Sequence, residues 1–309
     1  MKRTYLAMSV GVFQLLLYYN IKFIMVPLIM LRCAVLFLSL FWFVPAWAQG
    51  KLLVSTHPIY LIAKEITKGV EEPELLLKNQ TGHDVQLTPA NRKSIQSAEL
   101  IIWVGKEHEA PLEKLLHNQN KAISILNSGI IQALPLRNTR GAALKNTVDT
   151  HVWLDPNNAV RIGFFIAALR SQQHPENKAL YWDNARKFAK EMLLVSKQFN
   201  ATSNAKPYWA FHDAYQYLER PLNLKFAGAL TDDPHVAVTL GQIKYLNDTR
   251  PYTKMCLLAE SNASPSQYQK LGQIAFQKVD ENLSEQQRFV GAWKQLAQET
   301  QRCVNDARK

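Results

Sequence analysis

The feature that most constrains this chain is a repeated alternation of short, almost uninterrupted apolar runs with helical stretches. LIIWV (100–104) and KMCLLAE (254–260) carry little polar relief on either face. Strands of that kind are buried on both sides, as in a parallel sheet covered by helices. In the first half, KLLVS (51–55), PELLL (73–77), LIIWV and a run over 122–126 alternate with helical patterns over 58–68, 88–98 and 107–117. Thr88 and Pro89 are an N-cap and a first helical residue. A loop over 128–150 follows, long enough to be either mobile or functional, and then a helix over 157–172. The second half repeats the scheme with YWAFH (208–212), LKFAGAL (224–230), KMCLLAE and IAFQKV (274–279). Its helices are expected over 213–219, 239–247 and 265–271, with a last one capped by Ser284 and running to about Cys303.

Between the halves, residues 175–203 contain Pro175 near the start and no further Gly or Pro. Ala185, Phe188, Met192, Val195 and Phe199 recur at spacings of three and four, which predicts one apolar stripe on a long helix. The expected fold is therefore α/β: two lobes with mainly parallel sheets joined by one long rigid helix. A core helix inside one large domain is the alternative. Of the 309 residues, 1–48 are expected to be a leader, 49–174 the first lobe, 175–206 the linking helix and 207–309 the second lobe.

The leader reading rests on the stretch from Met30. Arg32 precedes an apolar run over 34–44, and Ala46-Trp47-Ala48 stands before Gln49. Those are the parts of a secretory signal with a small-residue cleavage site. Residues 1–29 read as an over-long start or an extension of the signal, and a retained membrane anchor is the alternative. Cys33 lacks the small-residue box of a lipoprotein. The expected product is a soluble, exported protein. Removal of the leader leaves Cys256 and Cys303, which in an oxidising compartment most simply form one disulfide; two buried thiols are the alternative. The formal charge of +11 includes four cations in the leader, leaving about +7 on scattered helical positions. No Lys/Arg block tracks a phosphate backbone, so nucleic acid is not an expected partner.

His83, His151 and His212 each stand at a loop or strand end that leads into a helix, in QTGHDVQLTP, THVWLDPNNA and WAFHDAYQYL. Asp280 ends the last strand. Ligands of open parallel sheets bind at the carboxyl ends of strands, and two of these four residues precede the long helix while two follow it. Three imidazoles and a carboxylate suit tetrahedral Zn²⁺. Taken singly, each has a plainer reading as a surface residue or a helix cap. His57, His108, Glu109, His235 and Glu260 are weaker candidates: His108 and Glu109 read as first-turn helix residues, and Glu260 as a group orienting an imidazole. No nucleophile elbow, P-loop or HExxH motif is present.

The stretches HPIYLIAKEITKGV, GHDVQLTPANRKSIQSAELIIWVGKEHEAPLEKLL, HVWLDPNNAV, FHDAYQYLE and LLAESNASPSQYQKL resemble the zinc-specific periplasmic binding proteins of bacterial ABC importers. The resemblance implies two (β/α) lobes with the metal between them and metal ligands at His83, His151 and His212. It implies a carboxylate at Asp280 of VDENL, with water as the other possible fourth ligand, and a Cys256–Cys303 disulfide. Two departures stand out: residues 128–150 contain no His where zinc members carry a metal-collecting loop, and Gly82 stands where some members have Glu. The implied function is capture of Zn²⁺ as transported ligand and delivery to an ABC permease by a monomer that is not an enzyme. The alternatives are a zinc-dependent hydrolase, or a manganese carrier or adhesin on the same fold.

Overall fold

The computed structural model describes residues 51–78, 85–199, 205–260, 263 and 265–307. The expected leader and His83 lie outside the described residues. The first sheet is built from β1 (Lys51–Val54), β2 (Glu74–Leu75), β3 (Ala98–Trp103) and β4 (Ala122–Ser124) in the order β2-β1-β3-β4. The second uses β5 (Lys206–Ala210), β6 (Leu224–Ala229), β7 (Met255–Ala259) and β8 (Ile274–Lys278) in the order β6-β5-β7-β8. Every ladder is parallel, with Leu53 opposite Ile101 in one sheet and Trp209 opposite Leu257 in the other. The two sheets therefore share one topology. In each, the chain leaves the first strand to one side and returns on the other, which opens a crevice at the carboxyl ends of β1/β3 and of β5/β7.

In the first lobe α1 (His57–Thr67), α2 (Pro89–Ser97) and α3 (Ala110–Leu116) follow their strands. Thr88 and Asn91 close a reciprocal cap at the start of α2, as the Thr-Pro pair predicts. A helical hairpin comes next, made of α4 (Pro156–Gln173) and α5 (Lys178–Lys197). The long helix is thus present but shorter than its apolar stripe suggests. Pro175 opens a 3₁₀ turn over Pro175–Asn177, and α5 begins only after it. Ala185, Phe188, Met192 and Phe199 are buried and Val195 packs against them. The helix is no solitary strut. Gly163 of α4 lets Phe188 of α5 and Ile66 of α1 approach to 3.0 and 3.2 Å of where a Cβ would stand, so three helices meet without a gap. Arg170, fully buried on α4, is answered by Glu71 at 2.7 Å and Glu99 at 2.9 Å, the pairing a buried guanidinium requires.

One continuous core runs from Leu52 and Ile102 through Tyr181 and Phe188 to Tyr208, Leu258 and Trp293. In the second lobe the short α6 (Glu219–Leu222), α7 (Leu240–Asp248) and α8 (Pro265–Tyr268) separate the strands, and α9 (Phe289–Asp306) ends the chain. α9 starts later than Ser284 suggests. The Asp280 carboxylate accepts the N–H of Asn282 at 3.0 Å and of Ser284 at 2.6 Å, Leu283 takes a left-handed φ of 54°, and the helix begins only at Phe289.

Residues 129–150 form a strap from the first lobe across the second. Arg137 pairs with Asp213 at 2.7 Å and Glu219 at 2.7 Å and lies over the Phe226 ring. The backbone N–H of Ala229 bonds the carbonyl of Thr139 at 2.9 Å, and the backbone N–H of Leu134 bonds the Tyr217 hydroxyl at 2.9 Å.

Cys256 of β7 and Cys303 of α9 are joined, with Cα atoms 5.4 Å apart. The bond pins the last helix to the middle of its sheet. Replacing Cys303 with Ser should lower stability by about 2–4 kcal/mol, the range typical of a native cross-link; denaturant titration of oxidised wild type against the variant is the check, and equal midpoints would refute it.

Candidate metal centre

His151 and His212 are brought together. His212 follows β5 at the crevice of the second sheet, and His151 leads into α4 from the end of the strap. Both are about 5% exposed, and their ring centres lie 5.7 Å apart. Each ring is held from behind by a carboxylate. His151 Nδ1 bonds Asp149 Oδ1 at 2.8 Å, and that oxygen also takes the His151 backbone N–H at 3.0 Å. His212 Nδ1 pairs with Glu260, which stands at the end of β7. A carboxylate on Nδ1 keeps the proton there and makes Nε2 the basic nitrogen, the form of imidazole that binds a metal. Burial alone would lower the His151 pKa, but the bond to Asp149, with the charges of Asp149, Glu281 and Asp213, raises it above its usual value.

Asp280 and Glu281 divide their work. Both oxygens of Asp280 are spent on backbone N–H groups of the turn. Glu281 is buried, its Oε1 takes the Asn282 amide at 3.0 Å, and its Oε2 has no hydrogen-bond partner among the described residues. Burial pushes the Glu281 carboxyl up to about 7, although the His151 charge and a backbone N–H pull the other way. The peptide of Glu281 is fixed by the Trp153 indole, which donates to its carbonyl at 2.8 Å. A buried carboxyl oxygen with no hydrogen-bond partner among the described residues, coupled through its charge to His151, suits a cation.

The spacing of the two rings fits one ion. With Zn–N near 2.0–2.1 Å, a ring centre lies about 3.2 Å from the metal, so a tetrahedral pair has centres about 5.2 Å apart. The observed 5.7 Å needs only a small approach. Among the described residues no three His, Cys, Asp or Glu side chains are grouped closely enough to hold an ion by themselves.

The other candidates sort clearly. Glu260 orients His212, as its strand-end position suggests. His108 and Glu109 do not sit on a helix surface, because α3 begins only at Ala110 with Pro111 in its first turn. His108 is 3% exposed, bonds Thr150 Oγ1 through Nδ1 at 2.9 Å, and lies edge-on to His151 and Trp153. Glu109 is fully buried and ties β1 to β3, taking the Gly105 N–H at 2.9 Å and the Ser55 hydroxyl. His57 faces a separate cleft of about 960 Å³ with Tyr60, Glu72 and Asn282, and neither His151 nor His212 lines it. His235 is exposed on a loop after β6.

The profile of the zinc-uptake complex component A periplasmic family matches residues 52–302. The chain belongs to that family. Among curated relatives, the high-affinity zinc uptake system protein ZnuA of Haemophilus ducreyi is 28% identical over 262 residues, covering 75% of this chain and 84% of that protein. The protein of the same name from Yersinia pestis is 29% identical over 251 residues, covering 71% and 78%. Two solved structures share the fold. A ZnuA crystal structure superposes with a TM-score of 0.68 at 19% identity, covering 82% of this chain and 99% of that one. The laminin-binding protein of Streptococcus agalactiae, described as an adhesin with metal-transporting activity, gives 0.68 at 17%, with the same coverage. Family membership confirms the α/β class and the resemblance carried by the HxWLDP and FHDAY stretches.

Glu109 offers a test by pH. Burial raises its carboxyl from 4.5 to about 7, against hydrogen bonds from Ser55, Gly105 and Val104 that lower it. The folded state therefore holds a proton that the unfolded chain releases earlier, so stability falls as pH rises through that window. Relative to Glu109→Gln, wild type should lose about 1.4 kcal/mol per pH unit between those two values. Urea unfolding of both proteins at pH 5 and pH 8 measures the difference; a gap that stays constant refutes it.

Proposed function

We propose that this chain captures Zn²⁺ in the periplasm and delivers it to the membrane permease of an ABC importer. The observation that carries the reading is the facing pair His151 and His212, each with Nδ1 held by its own carboxylate. Family membership supports the same cargo. The described pair of the metal shell is His151 and His212, His83 is the third imidazole, and Glu281 joins them by a shift of its turn when the ion binds. Glu281 takes the place expected for Asp280, because its Oε2 is open while both Asp280 oxygens serve the turn. The cargo then bridges two lobes over 49–174 and 207–309, linked through 175–206.

Residues 1–48 act as the removable leader in this reading. Among the described residues no helix is long and apolar enough to cross a membrane. A hydrolytic zinc site needs a water position and a general base beside it; four protein donors close the shell, so the chain is a carrier and not an enzyme. Nitrogen donors from three histidines favour zinc over manganese, which prefers carboxylate and water.

Three measurements test the site. Metal analysis of the mature protein should give one zinc per chain, and zinc should raise the unfolding temperature by binding only the native state. His151→Ala should abolish most of that rise, and His212→Glu should lower the ratio of zinc to manganese affinity. Retention of the full zinc shift in His151→Ala would place the ion elsewhere.

The fourth donor is tested by a matched pair. Glu281→Gln should weaken zinc binding by about tenfold to a hundredfold, a loss at least as large as that from removing a supporting group. Asp280→Asn, which keeps an oxygen for the turn, should bind nearly as wild type. The reverse ranking in competition titrations would return the role to Asp280.

A further inference from the structure

We infer that His108 is a positioning residue for the metal, holding His151 in its binding orientation without joining the shell; this rests on the zinc-carrier reading above. His108 belongs to the turn after β3, at the crevice of the first sheet, so the first lobe supplies a buried imidazole where the second supplies His212. Its ring centre is 6.3 Å from that of His151, at an interplanar angle of 79°. Two imidazoles on one ion reach about 6.4 Å only when they stand on opposite sides of it in a straight line. A tetrahedral ion held by His151 is therefore out of reach of His108 as the rings stand.

What His108 does reach is the frame of His151. Its Nδ1 bonds the hydroxyl of Thr150, the residue directly before His151, at 2.9 Å. Asp149, one residue earlier, holds His151 Nδ1 and in turn takes the Gln216 amide at 3.1 Å. The run 149–151 is thus gripped by the first lobe through His108 and by the second through Gln216. His108, His151 and Trp153 also form a closed set of edge-to-face rings, with centres 5.3–6.3 Å apart, spacings at which aromatic rings attract one another. A loose His151 would lose the alignment that a carboxylate on Nδ1 provides.

The test separates positioning from ligation. In His108→Ala, zinc affinity should fall about tenfold to a hundredfold, as for other groups that orient a ligand, through faster release to a chelator. X-ray absorption of the zinc-loaded variant should count the same number of imidazoles as wild type. His108→Asn, whose side-chain amide can keep the bond to Thr150, should recover most of the affinity, and the unfolding temperatures of the metal-free proteins show whether either variant is misfolded. Unchanged affinity in His108→Ala overturns the inference, and so does His108→Asn binding as weakly as His108→Ala. Loss of one imidazole from the shell would make His108 a ligand and overturn it too. A wild type that takes up no zinc would instead overturn the carrier reading itself.

Discussion

A buried indole N–H gains from an acceptor, and Trp153 and Trp293 find theirs in opposite halves of the chain. Trp153 donates to the carbonyl of Glu281, and Trp293 donates to the carbonyl of Leu154, both at 2.8 Å. Each is fully buried. The two bonds are reciprocal: the segment that carries His151 is stitched to the turn that carries Glu281, and the last helix is stitched back to the segment that carries His151. Removing either acceptor would strand a donor in the core, at a cost of about 1–3 kcal/mol. The first bond ties the segment of His151 to the carboxyl end of the second sheet, the end at which His212 also stands.

The continuous core bears on how such a site works. Apolar contacts run without a break from the first sheet through the helical hairpin to the second sheet and α9. The strap adds a second connection, with Arg137 held by two carboxylates and an aromatic face. A hinge that swung the lobes wide apart would have to expose much of this surface. On the proposed carrier reading, release by local rearrangement of the strap or of the Glu281 turn disturbs far less.

Much of this was legible in the sequence, and what was missed has physical causes. Near-continuous apolar runs predicted both parallel sheets, and the Thr-Pro pair placed α2 to within a residue. HxWLDP and FHDAY marked His151 and His212, and the strand-end position of Glu260 marked it as a support. Asp280 was named from its strand-end position and from the carboxylate of the resembling family, with water as the alternative; Glu281 was not weighed. In the structure the shorter Asp side chain bonds backbone N–H groups two and four residues ahead, a habit of Asp in turns, and this is why Glu281 is the donor proposed above. His108 was hidden by a helix start set too early, although Pro111 already argued for a start near Ala110. Nothing in the residue pattern of 128–150 announced a strap, since its anchors, Asp213, Glu219 and Asp232, are distant in sequence.

The disulfide carries a further consequence. Cys256 lies in β7, four residues before the Glu260 that aligns His212. A thiol pair closes only where the surroundings are oxidising, so on the proposed route the cross-link forms after the chain has left the cytoplasm. Before that step, α9 is held to β7 by packing alone, which leaves the chain easier to keep unfolded for passage through the membrane. On that route the oxidant of the outer compartment acts as a timer, stiffening the strand behind the proposed site only once the protein has arrived outside.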